Sequence, residues 1–186
     1  MTLKLFLKEI ISKTIFNPDY DNLSTESIII IEDVFKSDFK KYYTSPLDYN
    51  KVKYFPGLLV TFFYRIARQL FIEGCEKEAL EYSSIGSYLT GIELYYSAEI
   101  GHSFKINHGF GTIVGSRTKV GNNVLLHQGV TIGEKNGGRA TIKDNVIVYP
   151  GAVIVGPIVI SENSIIGANT FVDKSCKPNS KIYNSK

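Results

Sequence analysis

Several features that would announce a function by themselves are scarce in this chain. It has only two cysteines, Cys75 and Cys176. They are too few and too far apart for a disulfide framework or a thiolate metal site, and they read as reduced thiols in a cytoplasmic protein. Charge of one sign is also lacking. Against 18 Asp+Glu stand 21 Lys+Arg, a formal +3. The lysines are scattered, with no basic run interleaved with aromatics, so nucleic acid is not indicated as a partner. Long apolar runs are missing too. The opening MTLKLFLKEIISK carries charges inside its apolar stretch and is neither a signal peptide nor a membrane span. The apolar region 55–72 is interrupted by Tyr64, Arg65, Arg68 and Gln69. With three histidines in all, a metal centre of three imidazoles would need every one. His102 and His108 fall on different corners of the repeat described next, so no metal is expected.

What the chain does have is a period of six. Leu94, Ile100, Ile106, Val114, Val120, Leu126, Ile132, Ile142, Val148, Ile154, Ile160, Ile166 and Val172 form an aliphatic series. It is broken only between Ile106 and Val114, by two extra residues, and between Ile132 and Ile142, by four. Four residues after most of them sits a small or short branched side chain, such as Ala98, Thr118, Ala152 or Thr170. This is the hexapeptide signature of a β-helix. Each hexad supplies a short strand and a corner, and three hexads close one triangular coil. The aliphatic points inward and stacks on its equivalents above and below. Gly and Asn suit the corners because they tolerate φ > 0.

The first 90 residues read differently. Leu3 to Ser12 is a short amphipathic helix, ended by Asn17-Pro18-Asp19. Ser24 is an N-cap for a second helix reaching about Tyr42. A third spans Gly57 to Glu73 with Gly74 as its stop, and a fourth runs from about Glu76 to Leu89. The expected organisation is therefore a helical region over 1–90, coils over 91–175 and a C-terminal tail over 176–186. The fold class is mainly β, a parallel β-helix with an N-terminal α-helical region. Function in such a regular prism is expected where the repeat fails. The two candidates are the insertion Asn107–Ile113, which carries a histidine, and the polar, Gly-rich stretch Glu134–Thr141, expected to bulge as a loop.

The run GIELYYSAEIGHSFKINHGFGTIVGSRTKVGNNVLLHQGVTIG, with Tyr54-Phe55-Pro56-Gly57 and Tyr64-Arg65-Ile66-Ala67 before it, resembles the serine acetyltransferase group of hexapeptide-repeat acyltransferases. The resemblance covers about residues 50–172. Related polysaccharide O-acetyltransferases share much of the pattern. It implies a left-handed coil and transfer of an acetyl group from acetyl-CoA to a hydroxyl. Outward aliphatics such as Val153, Val155 and Val159, with the length of such a donor, point to a homotrimer with sites between subunits. The resemblance places the cofactor groove along Gly133, Pro150, Gly151 and Ala168, with Lys174 near the phosphates. The departures bear on the acceptor. An Asp-His pair of the group is Asn107-His108 here. The acid that orients its histidine is Asp there and Glu93 here. Its Arg-His-Pro acceptor segment reads Arg139-Ala140-Thr141, and its Asp-Pro-Ala segment, expected near residues 40–50, has no clean match.

Acetyl transfer to a hydroxyl needs a base for the proton, and an imidazole, with an ordinary pKa of about 6.5, suits that task. A carboxylate should orient the imidazole. His108 fits the first role and Glu93 the second, fifteen residues earlier and close to one coil away. Asn107, Arg139 and His127 are the candidate acceptor-binding residues. Two other readings stand beside an O-acetyltransferase for a small-molecule or sugar hydroxyl. One is a genuine serine O-acetyltransferase in cysteine biosynthesis. The other is a non-catalytic trimeric scaffold, since fold alone does not fix function.

Overall fold

The computed structural model describes residues 1–20 and 23–183. Five helices come first: α1 (Leu3–Ile11), α2 (Thr25–Phe39), α3 (Tyr49–Val52), α4 (Pro56–Ile72) and α5 (Glu76–Thr90). Thr2 caps α1 by accepting from Leu5 N, and Ser24 caps α2 by accepting from Ser27 N. Pro56 occupies the first turn of α4, where its missing N–H costs nothing. Gly91, left-handed at φ 65, ends α5 and turns the chain into the first coil. Among the described residues no helix is long and apolar enough to cross a membrane.

The coils follow in order. The first holds β1 (Glu93–Leu94), β2 (Glu99–Ile100) and β3 (Lys105–Asn107). The second holds β4 (Ile113–Val114), β5 (Lys119–Val120) and β6 (Leu125–His127). The third begins with β7 (Thr131–Lys135) and its hairpin partner β8 (Gly138–Arg139), then continues with β9 (Thr141–Ile142) and β10 (Ile147–Val148). The fourth holds β11 (Val153–Val155), β12 (Val159–Ile160) and β13 (Ile165–Ile166), and the last β14 (Phe171–Val172) and β15 (Lys181–Ile182). Three sheets result: β1-β4-β7-β11-β14, β2-β5-β9-β12 and β3-β6-β10-β13-β15, the first, second and third below. All their pairings are parallel; only β7 and β8 run antiparallel. Every aliphatic of the six-residue series is buried, and together they form one apolar column joined at its lower end by Val60 and Tyr64 of α4.

Two expectations need correction. Residues 176–186 were expected to be a tail, yet Cys176 bridges to Ile160, and β15 pairs with β13, so the coil continues through Ile182. The stretch Glu134–Thr141 is an ordered two-residue hairpin. Asn136 and Gly137 lie at φ 54 and 78, the backbone that a tight turn between twisted strands demands.

The second-to-third corner is built from left-handed asparagines. Asn123, Asn145, Asn163 and Asn179 all have positive φ, which a short polar side chain tolerates better than most. Their amides form a ladder: Asn123 Nδ2 donates to Asn145 Oδ1 at 2.8 Å, and Asn145 Nδ2 to Asn163 Oδ1 at 3.0 Å.

The lower edges of the second and third sheets are finished by side chains of the helical region. A strand edge presents unpaired N–H and C=O groups that must be satisfied when buried. Tyr64 Oη donates to Ala98 O and accepts from Ile100 N, at 2.7 and 3.0 Å. Tyr42 Oη donates to Ile106 O and accepts from Ile106 N, at 2.8 and 2.9 Å. Arg65 donates from Nη1 to Ile100 O and from Nη2 to Gly101 O, each at 2.6 Å. Its Nε and Nη2 also grip both oxygens of Asp38, at 2.8 and 3.1 Å. Asp38 in turn accepts from Phe104 N at 2.8 Å. Burial raises the Asp38 carboxyl above its ordinary range, against the pull of Arg65 and the Phe104 N–H.

Gly57 lets α4 approach this edge. A Cβ there would stand 2.3 Å from Ile106 O and 2.9 Å from Tyr42 Oη. Gly57→Ala is expected to cost about 1–3 kcal/mol, the usual penalty of overpacking. A urea midpoint equal to the parent's would show instead that α4 can withdraw freely.

Candidate functional site

The two irregular corners of the prism lie at opposite edges of the first sheet. The third-to-first corner of the first coil is His108–Thr112, longer than the equivalent corner Gln128–Val130 above it. His108, Gly109 and Gly111 have φ of 63, 86 and 72. Most non-glycine residues in this backbone region are asparagines at corners; His108 and Arg117 are bulkier exceptions. Histidine enters this sparsely populated region more readily than most side chains, and such left-handed residues recur at functional sites. Its surroundings fix it closely. Gly111 N donates to Gly91 O, and a Cβ on Gly109 would meet Ile92 at 2.4 Å, so the corner sits directly on the start of the first coil.

His108 is exposed at the rim of a pocket of about 380 Å³. The pocket lies between the corner, β3 and the loop entering α4. Its walls include Tyr42, Tyr54, Phe55, Lys105, Asn107 and Phe110. Lys105 holds its ammonium 4.9 Å from the centre of the Tyr42 ring. Glu93 is also exposed, at the start of β1 and one coil below Ile113. The expected hydrogen bond between Glu93 and His108 is not formed; the His108 ring has no hydrogen-bond partner among the described residues. Such bonds often tighten only in the substrate complex.

His127 lies one coil above Asn107, in register with it on the third sheet. It does not line the His108 pocket. Its ring stacks on Tyr149 at 5.1 Å, and its Nδ1 lies 3.0 Å from Val148 O. A carbonyl only accepts, so that nitrogen carries the proton. His102 is exposed in a groove against the second sheet, away from His108.

Arg139 is not brought to His108 within one chain, contrary to the grouping expected from the sequence. It stands at the first-to-second corner, on the hairpin. Its Nε donates to Ser116 O at 2.9 Å, and its Nη1 lies 3.4 Å from Glu134 Oε2. That Nη1 is buried and has no hydrogen-bond partner. Burial, with Arg117 beside it, holds the Arg139 guanidinium below its ordinary range.

The residues expected to hold the cofactor split in the same way. Pro150, Gly151 and Ala168 continue the third-to-first corner upward from His108. Gly151 N donates to Gln128 O, and Asn169 N to Pro150 O, at 3.0 and 2.8 Å. At about 4.8 Å per coil, Pro150 and Ala168 stand roughly 10 and 14 Å above His108. Gly133 lies on the outer face of the first sheet, paired with Val155, and Lys174 follows β14 beyond it, exposed. Gln128, which sequence reasoning passed over, occupies the corner between His108 and Pro150. Its Oε1 is buried without a partner. The signal was a polar corner residue directly above the histidine.

The hexapeptide family described as bacterial transferase hexapeptide (six repeats) matches residues 139–174. Serine acetyltransferase of Bacillus subtilis (strain 168) is 36% identical over 148 residues, which cover 76% of this chain and 65% of the relative. Serine acetyltransferase of Mycobacterium tuberculosis is 34% identical over 132 residues, covering 69% and 58%. Serine acetyltransferase isoform 3 of Entamoeba histolytica, solved in complex with cysteine, superposes with a TM-score of 0.78 at 25% identity, over 98% of this chain and 69% of that one. The chain is a serine acetyltransferase-like hexapeptide-repeat protein. It spans less than two thirds of the length of the B. subtilis and M. tuberculosis relatives. Within this serine acetyltransferase-like scaffold, His108 and its pocket lie at one edge of the first sheet, and Arg139 lies at the other, with Gly133 and Lys174 on the outer side between and above them.

Proposed function

We propose that the protein transfers an acetyl group from acetyl-CoA to an acceptor hydroxyl, with His108 as the base. The observation that carries this is the exposed imidazole at the rim of a pocket, on a left-handed corner residue of a chain whose relatives are serine acetyltransferases. His108 takes the hydroxyl proton as the oxygen attacks the thioester carbonyl; the C–O bond forms, the C–S bond breaks, and the proton passes to the departing thiolate. Glu93 steadies the imidazolium. The pantetheine arm runs up the corner past Gln128 toward Pro150, Gly151 and Ala168. Acceptor-dependent thiol release from acetyl-CoA tests the reading, and a protein that releases no thiol with any hydroxyl acceptor would leave the scaffold reading in its place. Serine is the acceptor of the named relatives and is the second reading of the acceptor.

The split site argues for a ring of copies. The His108 pocket and Arg139 lie at opposite edges of one sheet, so a single chain cannot close them on each other. A threefold ring sets the His108 corner of one copy against the Arg139 edge of the next, three times over, by one repeated heterologous contact. Light scattering is expected to give a mass near three times that of one 20.8 kDa chain. A monomer mass at assay concentration would refute the shared site.

A further inference from the structure

We infer that the acceptor is a neutral pyranoside hydroxyl and not a free amino acid. This rests on the acetyl-transfer reading above and concerns the same pocket.

A free amino acid brings an ammonium and a carboxylate, and each needs a counter-charge once water is excluded. No carboxylate lines the His108 pocket. Position 107, where the resemblance leads one to expect an acid, is a neutral Asn. Of residues 40–50, Tyr42 alone lines the pocket. Its hydroxyl is fully engaged, donating to Ile106 O and accepting from Ile106 N. The charged lining group is the Lys105 ammonium, which repels an acceptor's ammonium. The opposite edge of the first sheet would add Arg139. Its neighbouring carboxylate, Glu134, accepts from Gly137 N at 2.6 Å and lies 3.4 Å from Arg139 Nη1, where it offsets that cation. Apart from Glu93, which is assigned to the imidazole itself, the charged and large groups that converge on the pocket are cationic or aromatic.

The aromatic share points to the alternative. Tyr54, Phe55 and Phe110 rim the pocket at 68%, 42% and 66% exposure. Large apolar side chains left this open around a concave site indicate a ligand surface. One face of a pyranose carries C–H groups and suits such rings, while its rim of hydroxyls suits groups that both donate and accept. The Asn107 amide does both. A volume of about 380 Å³ is ample for a sugar ring and large for serine.

The test uses the full chain with acetyl-CoA and reads thiol release. Methyl pyranosides of the common hexoses are compared with L-serine and with 3-hydroxypropionate, which is serine without its ammonium. The best pyranoside is expected to exceed serine in kcat/KM by about 10²-fold or more. Phe110→Ala should raise KM for that pyranoside roughly 3- to 10-fold while KM for acetyl-CoA stays put. Serine turnover equal to or better than every pyranoside would overturn the inference and leave acetyl transfer standing. So would a protein that binds acetyl-CoA in calorimetry but acetylates no pyranoside. Absence of acetyl-CoA binding would remove the acetyl-transfer reading itself, and this inference with it.

Discussion

Replacing His108 with alanine is expected to lower turnover by roughly 10²- to 10⁴-fold, the usual worth of general-base help. Acetyl-CoA affinity should hardly change, because the proposed path of the donor lies along the corner above it, past Gln128 and Pro150. The effect should appear in kcat and kcat/KM together, as when an interaction made only in the transition state is removed. His108 is exposed and its ring has no hydrogen-bond partner among the described residues, so the variant should fold as the parent does. A loss below tenfold would dismiss His108 as the base. His127 would not be an easy substitute, since its ring is stacked on Tyr149 and bonded to Val148 O. Glu93→Gln should lower turnover less, by weakening orientation of the imidazole, and unchanged turnover would remove Glu93 from the site.

The largest expected change in stability is at Asp38. Its carboxylate is fully buried and receives three donors, two from Arg65 and one from Phe104 N. Asp38→Ala would strand the Arg65 guanidinium, itself 6% exposed, and leave the Phe104 N–H unpaired. Breaking one side of a buried ion pair costs about 3–5 kcal/mol, much of it from the charge left behind. The pair also carries the lower edge of the second sheet through Ile100 O and Gly101 O. Urea unfolding at one fixed protein concentration measures the loss, since an assembling protein's stability depends on concentration. A change below about 1 kcal/mol would mean that the edge is held by Tyr64 and Tyr42 without it.

The prism was legible because its core obeys a strict period. Each aliphatic from Leu94 to Val172 had to face inward, and none strays to the surface. Where the period lapses, legibility lapses too. Six residues beyond Val172 stands Pro178, so the hexad count stops there, although the chain returns to the third sheet at Lys181. The hairpin was legible in Asn136-Gly137, a strong two-residue turn signal, although polarity and glycine content alone point only to a bulging loop. Helix α3 is four residues long, too short to show any periodicity. The Asp38–Arg65 pair was not legible at all: it joins two helices to a sheet edge, and nothing in local spacing reports such a meeting. For the site, motif and position picked out His108. Its aromatic pocket draws on residues as distant as Tyr42 and Phe110, which only the packing of α4 on β3 brings together.

The sealing of the lower strand edges by tyrosine, arginine and aspartate gives the prism a direction. Stacked solenoids can lengthen into fibrils when the bare top of one molecule meets the bare bottom of another. Here two of the three sheets offer no bare rung at the bottom: Ile100 and Ile106 already have both backbone groups of their edge taken by Tyr64 and Arg65 of α4 and by Tyr42 of the turn after α2. Copies can therefore meet side by side around a common axis, while end-to-end polymerisation is blocked at the first coil. The same asymmetry should be visible in solution as a gradient of amide exchange, slow at β2 and β3 beneath their plug and progressively faster toward β14 and β15.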